Sequence, residues 1–489
     1  MSLQLRTFLQ GINTRTKTFS TFVACRASIM SQDLEVRVKE LESEVERLKS
    51  ELMKRDATDA AVRVELNGGE LNATADRGAN GGNGTKKGKK RGQDRPLDFS
   101  AYPRRHVALK LAYLGWDYQG YAVQDNTDNT VEARLFEAFL KTKLIQDRQS
   151  SNYHRCGRTD KGVSAFSQVV SIDLRSNQFG GGLGVIAPST DSVGCEEEKK
   201  KRKEEMPYTK MLNRVLPQDI RVLDWAPVET GFSARFDCRS RTYRYYFPRG
   251  SLDVALMAEA AKRYEGTYDF RNLCKMDVGN GVLQFNRTIL SASVSLLQPH
   301  PADPVDPYDL CVFEVKGLAF LYHQVRCMMA VLLLIGQKLE SPVIINQLLD
   351  VEKNPRKPQY SMALDYPLVL HDCHFEGLSW QREPEEVRFT LNTMHQQWTN
   401  NVIKTQVLRG MIQGLELSGE TEAPIPLQCW LLEGTRQRNY RPLLERPRCE
   451  SLESRIDHFV KRGRLEREEG ENGEEALRRG KRPKHADPQ

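Results

Sequence analysis

Asp160 is the carboxylate around which the sequence can build chemistry. It stands in the stretch Tyr153 to Ala165, where Gly157 and Gly162 bracket the core Arg158, Thr159, Asp160 and Lys161 just before an apolar run. Glycines at both ends allow tight backbone geometry. They would hold Asp160 at a strand edge, facing a cleft, where a carboxylate can act as nucleophile or base. An Asp close to a Gly is equally the signature of an Asx turn. The local pattern leaves both readings open.

Two further segments bear on the choice. In the first, Phe232 to Phe236 leads into Arg239, Arg241, Thr242, Tyr243, Arg244, Tyr245, Tyr246 and Phe247. The two-residue period of a strand puts Arg241, Tyr243 and Tyr245 on one face and Thr242, Arg244 and Tyr246 on the other. Guanidinium groups suit phosphates, and aromatic rings suit unstacked bases at roughly 1–3 kcal/mol each. One of the two faces is expected to be ordinary packing. In the second segment, Phe320 to Met329, Arg326 lies inside an apolar helix. A buried charge without compensation costs several kcal/mol, so Arg326 calls for a buried carboxylate, and Asp160 is the candidate. His323 reads as a hydrogen-bonded core residue or an RNA contact more readily than as a catalyst.

These segments must be positioned by the elements around them. Val107 to Leu111, Gln168 to Leu174, Ile220 to Trp225, Thr242 to Phe247, Ile289 to Leu297 and Leu310 to Lys316 read as strands. Thr130 caps a helix with Val131, Leu135, Phe136, Phe139 and Leu140 on one face. Leu252 to Tyr264 and Phe320 to Ile335 read as helices, the latter apolar on most sides. Ser341 and Pro342 open another as cap and first-turn proline. Strands and helices without strict alternation predict an α+β architecture in two halves, 100–250 and 251–380, with a surface insertion at 176–206.

The 489 residues, 39% of them hydrophobic, are enough for two or three domains at ~150 residues each. A net charge of +7 favours a polyanionic partner only weakly. The ten cysteines include no C-x-x-C pair, so neither a zinc site nor a disulfide framework is suggested, and no metal site is expected. The longest apolar run, Met328 to Ile335, is too short to span a bilayer.

Before the folded part, residues 1–30 carry Arg6, Arg15, Lys17 and Arg26 and no acid. They read as a mitochondrial transit peptide or as a disordered leader ahead of Met30. Within 31–55, Leu34, Val38, Leu41, Val45, Leu48 and Leu52 alternate at heptad spacing. That pattern fits a short parallel coiled coil or a single solvated helix. Residues 56–99 are a polar linker whose run Lys86 to Arg91 reads as a nuclear address, an RNA tether or a solubilising stretch. Residues 381–489 are a polar extension, with a helix expected at Ser451 to Val460 and a basic end.

Taken together, the three segments resemble the TruA family of tRNA pseudouridine synthases. The family's Arg-Thr-Asp-x-Gly-Val loop stands here as Arg158 to Val163, its Arg-x-Tyr-x-Tyr strand as Arg241, Tyr243 and Tyr245, and its His-x-Val-Arg segment as His323 to Arg326. The order and spacing agree from about residue 105 to 378. Longer strings, Asp269 to Asp277 and Asn354 to Met362, resemble the eukaryotic branch that modifies uridines 38 and 39 of the anticodon stem-loop.

The resemblance implies two RRM-like (ferredoxin-like) halves sharing a mainly antiparallel sheet, a homodimer, a tRNA substrate, no membrane partner and no cofactor. It implies that Asp160 attacks C1′ or removes the C2′ proton, paired with Arg326, which lowers its pKa. Tyr243 stacks on the target base and could pass a proton at C5, beside Tyr245. Arg158 takes a phosphate or fills the space left by the flipped nucleotide. Lys161, at a variable position of the motif, would hold the carboxylate ionised or bind phosphate. A nuclear location, with the cytoplasm besides, goes with this branch, and the mitochondrion is the alternative. A noncatalytic RNA-binding protein of the same fold is the competing reading, though the presence of Asp160 and Tyr243 speaks against it. A coiled-coil scaffold would leave the Arg326 helix and the glycine-flanked loop unexplained.

Overall fold

The computed structural model describes residues 97–188, 204–298, 306–416, 430–434, 439–469 and 475–479, together with Ser43 and Arg47, both helical. The leader, the remainder of the heptad segment, the linker up to 96, the centre of the insertion and the basic residues after 479 lie outside the described residues. The chain divides into the units Met1–Gln93 and Asp94–Gln489, and the second carries the fold.

Its elements run β1 (Arg104–Tyr113), α1 (Val131–Lys141), β2 (His154–Arg155), β3 (Ser164–Arg175), β4 (Val185–Ile186), α2 (Tyr208–Asn213), β5 (Ile220–Pro227) and β6 (Ser240–Pro248). They continue through α3 (Val254–Ala261), β7 (Gly266–Asp269), β8 (Asn286–Leu296), β9 (Leu310–Gly317), α4 (Gln324–Gly336), α5 (Val343–Leu349) and β10 (Leu368–His374). Beyond these lie α6 (Pro384–Glu416), α7 (Leu452–Lys461) and the hairpin β11 (Leu465–Glu469) and β12 (Glu475–Arg479).

The result is an α+β fold around one ten-stranded sheet in the order β4-β1-β3-β10-β6-β9-β8-β7, with β5 on β1 and β2 on β3. Among the described pairings only β10 with β3 is parallel, Val369 opposite Ser164 and Leu370 opposite Ala165. Strand β10 comes late in the chain yet lies between β3 and β6, so strands from 100–250 and from 251–380 lie in one sheet. Because β3 begins at this seam, the loop that carries Asp160 lies there too.

Local sequence explains the supports. Thr130 Oγ1 accepts from the Ala133 amide at 3.3 Å, and Leu135, Phe136 and Phe139 face the core. Leu140, expected on that face, is instead exposed, because it falls at the edge of the buried arc. Every residue of α4 is buried, as its composition requires. Its start differs from the expectation. His323 has φ 60°, a left-handed conformation that a helix interior excludes, so Tyr322 and His323 form a turn and the helix begins at Gln324. The cap of α5 is likewise Pro342 rather than Ser341.

The insertion is anchored at both ends. Strand β4 pairs with Arg104 and Arg105, and Glu205 accepts from Ser176 Oγ, the Asn177 amide and Arg105. The extension holds a 33-residue helix, α6, held by Arg382 just before it, which pairs with Asp224 of β5, and by Glu386, which pairs with Arg214 at the end of α2. Helix α7 forms where expected, with Ser451 Oγ accepting from the Ser454 amide. No described helix is long and apolar enough to cross a membrane.

Candidate active site

The loop from Gly157 to Val163 is held from three sides. The Tyr121 amide donates to Thr159 O at 3.1 Å, the Gly162 amide to Tyr118 O at 3.2 Å, and the Thr159 and Tyr113 hydroxyls lie 2.7 Å apart. Gln168 Nε2 donates to Gly157 O at 2.9 Å. Gly162 has φ 76°, and a Cβ there would stand 2.9 Å from the Asp365 carboxylate, so both backbone and space require glycine. Gly115 has the same kind of role from the other side, for its Cβ would meet Val163 O at 2.0 Å. The expectation of glycine-set geometry holds at Gly162. The second approach comes from Gly115, a residue that local reading of the loop did not single out.

Asp160 has 25% of its side chain exposed. His323 Nε2 stands 3.5 Å from its Oδ2. Burial pushes the Asp160 carboxyl up to about 6, Arg326 and Lys275 pull it down, and Asp365 pushes it further up. Arg326 therefore acts in the expected direction, but desolvation outweighs it, and the net shift is upward. Burial pushes the His323 imidazole down to about 3, assisted by the charges of Arg326, Lys275 and Lys357.

The expected ion pair between Arg326 and Asp160 is corrected by the structure. Arg326 is 3% exposed, as predicted for a charge that needs a partner. Its Nε donates to Ala363 O at 2.8 Å, and its Nη2 donates to Glu433. The partner is thus a residue of the extension, whose own side chain is 41% exposed, while Asp160 feels Arg326 as a nearby charge.

Strand β6 shows the expected alternation, with Tyr243, Tyr245 and Phe247 buried. Tyr243 is 9% exposed, packs edge-on against Phe320 with centroids 5.0 Å apart, and interacts electrostatically with Asp160. Burial pushes its phenol well above the ordinary range. Tyr245 is fully buried, its hydroxyl without a hydrogen-bond partner. Arg241, expected to face phosphate, instead donates to the carbonyls of Leu318 (2.7 Å), Cys156 (3.0 Å) and Arg235 (3.3 Å), tying three loops together. On the opposite face Arg244 pairs with Glu314 at 2.6 Å. Arg158 and Lys161 are exposed on either side of Asp160.

The structure adds residues that sequence reasoning missed. Lys275 and Asp365 both act on the Asp160 charge. Tyr322, 42% exposed, lies over His323 with ring centroids 3.8 Å apart. Lys275 sits inside the string Asp269 to Asp277, which the sequence marked without assigning a role. Cys156, Cys238 and Cys373 also converge behind the loop, their sulfurs within 4.8 Å of one another. They are the one set among the described residues gathered as a metal would require, and they fall one donor short of a closed zinc site. C-x-x-C spacing could not reveal them, since they come from three distant segments. Cys238 Sγ also lies 3.4 Å from Ser240 O, as a reduced core thiol would.

A partly buried carboxylate acted on by a guanidinium and an ammonium, with a neutral imidazole at 3.5 Å and the exposed Arg158 two residues away, can act covalently or as a base on a polyanion. A family model described as tRNA pseudouridine synthase matches residues 260–376, which include His323 and Arg326. The tRNA pseudouridine(38/39) synthase of Homo sapiens is 51% identical over 449 residues, 88% of either chain. That of Saccharomyces cerevisiae is 42% identical over 310 residues, 61% of this chain and 64% of its own. The tRNA pseudouridine synthase A of Methanothermobacter thermautotrophicus is 30% identical over 266 residues, 53% of this chain and 80% of its own.

Proposed function

The chain belongs to the tRNA pseudouridine synthase family, and on that premise we propose that it isomerises uridines 38 and 39 of the tRNA anticodon stem-loop with Asp160 as the catalytic carboxylate. The observation that carries the role of Asp160 is its setting, a partly exposed carboxyl charged above about pH 6 and faced by Arg326, Lys275 and His323.

The reaction breaks the C1′–N1 bond, turns the uracil and forms a C1′–C5 bond. The proton lost from C5 is matched by one gained at N1, so no redox partner is needed. Asp160 attacks C1′ or removes the C2′ proton. In either case it must be ionised, and the positive groups around it favour that form. The phenol of Tyr243 stays protonated, so it serves C5 as a relay and not as a free base. Tyr243 stacks on the base once Phe320 gives way, and the exposed ring of Tyr322 offers a second platform. Arg158 meets a phosphate or replaces the flipped nucleotide, and Lys161 adds to the field around the carboxylate.

In this reading the enzyme works as a homodimer of chains with two RRM-like halves and a short N-terminal coiled coil. The exposed Trp398, Ile403, Leu408, Met411 and Leu415 of α6 support a second copy. The run Lys86 to Arg91 supports a nuclear address, and the acid-free first 30 residues support a mitochondrial one. The deciding experiment is carbodiimide mapping of tRNA from knockout cells rescued with the native chain or with Asp160→Ala. The native chain should restore pseudouridine at both positions and the variant at neither. Full rescue by the variant would overturn the role of Asp160.

A further inference from the structure

Arg326 is gripped from behind. Its Nε is taken by Ala363 O and its Nη2 by Glu433. Glu433 comes from residues 430–434, more than one hundred positions further along the chain, in the extension that the sequence reading left without a role. That segment lies against 362–364 like an added strand. The Leu364 amide donates to Leu431 O and the Glu433 amide to Met362 O, each at 2.8 Å, and Ala363 bridges Leu432. Leu431 is buried, and further on the Leu443 amide and the Tyr440 hydroxyl both donate to Glu340. The extension is fastened on both sides of the contact.

We propose that Glu433 is a positioning residue of the active site: it fixes the Arg326 guanidinium and offsets part of its charge, and so sets how strongly Arg326 acts on Asp160. This rests on the reading of Asp160 as the catalytic carboxylate. The two tethered nitrogens of Arg326 restrict the fork, whose remaining amino group is not held by either tether. A planar fork held at one edge loses little further freedom when it engages a second carboxylate. Two carboxylates competing for one cation also leave each less stabilised than it would be alone.

The groups that face Asp160 are Arg326 of α4, His323 and Tyr322 of the preceding turn, Lys275, Asp365 ahead of β10, and Tyr243 of β6. None of them changes in Glu433→Gln, which keeps an acceptor for Arg326 and removes only the charge. With that charge gone, Arg326 acts on Asp160 without offset. Ionisation of Asp160 becomes easier, and the ionised carboxylate becomes a weaker nucleophile or base.

The test is the pH profile of single-turnover pseudouridine formation on tRNA by the full-length chain. In Glu433→Gln the acid limb should move down by ~0.5 pH unit or more, and the plateau rate should fall ~2-fold or more with tRNA affinity unchanged. Glu433→Asp should recover part of the rate, and Glu433→Ala, with the fork released, should lose more. A glutamine variant with native limb and plateau overturns the proposal. So does a variant that loses only thermal stability, for Glu433 would then be a tether. Asp160→Ala, run alongside, separates the two claims: activity in that variant sinks the reading of Asp160, whereas a dead alanine variant beside an unchanged glutamine variant sinks the role of Glu433 alone.

Discussion

His323 Nε2 and Asp160 Oδ2 face each other at 3.5 Å, yet the pair never becomes an ion pair between acid and neutral pH. The carboxyl is raised to about 6 and the imidazole lowered to about 3. Between those values both groups are neutral, and above them only Asp160 is charged. His323 thus offers a neutral ring beside a carboxylate and adds no second cation to those of Arg326 and Lys275.

The first consequence concerns activity. The rate of pseudouridine formation should fall as pH drops through about 6, because Asp160 is then protonated. A stopped-time assay from pH 4.5 to 8 would show a single acid limb, absent from the residual rate of any Asp160 variant. A limb near pH 4 instead would mean that the carboxyl is not desolvated as described.

Stability should move the opposite way. A carboxyl whose pKa is raised by folding binds its proton more tightly in the native state. The native state therefore loses stability as pH rises from about 4 to about 6, and at neutral pH the loss is complete. Asp160→Asn removes that burden. It should stabilise the fold at pH 7 by on the order of 1–3 kcal/mol while abolishing activity. Urea unfolding of both proteins would measure the difference.

For His323 the sign is reversed. Its folded pKa lies below the value of 6.5 for a free imidazole, so the unfolded chain takes up a proton that the native chain refuses. The native state should lose stability as pH falls from 6.5 toward 3. In an Asp160→Asn background, where the opposing carboxyl is gone, His323→Gln should flatten that slope. An unchanged slope in the same urea titrations would argue that the ring is solvated.

Arg241 predicts a defect of geometry without a defect of charge. A lysine keeps the cation but cannot span the carbonyls of Cys156, Arg235 and Leu318. Arg241→Lys should lower kcat by ~10-fold or more through misplacement of the loop that follows Cys156, with tRNA affinity little changed. A fall in affinity at constant kcat would restore Arg241 to the phosphate-binding role suggested by its strand position.

Helix α6 carries the prediction for assembly. Leu408 and Met411 are 60% and 62% exposed. If a second copy covers them, replacing both with Glu should turn a dimer into a monomer in light scattering coupled to gel filtration. A native chain that is already monomeric would remove the premise.

Much of the site was legible because its signals are local. Gly162 and Asp160 lie two residues apart, the alternation of β6 is a two-residue rhythm, and Thr130 caps the helix that follows it directly. The partner of Arg326 was not legible. Burial demanded a carboxylate, and Asp160 was the available one in a recognisable motif, but Glu433 ends a short apolar run, Trp430 to Leu432, whose strand-like docking has no periodic signature. Helix α6 escaped for a related reason. Among its 33 residues only Glu386 and Thr390 are buried, so it has no apolar stripe of the usual kind to mark it. The three clustered cysteines lie 82 and 135 positions apart along the chain and meet only through the fold (238 − 156 and 373 − 238).

The place of β10 also bears on how the protein is made. A nascent chain that has emerged only as far as β6 holds the Asp160 loop and its tyrosine strand, but nothing yet lies between β3 and β6. Both edges of that gap are unpaired backbone, open to other strands. The gap closes only when residues 368–374 arrive, about three quarters of the way through synthesis. A product truncated before that point carries the motif without the seam that shapes it, so quality control over translation is also control over whether the catalytic loop ever takes its working form.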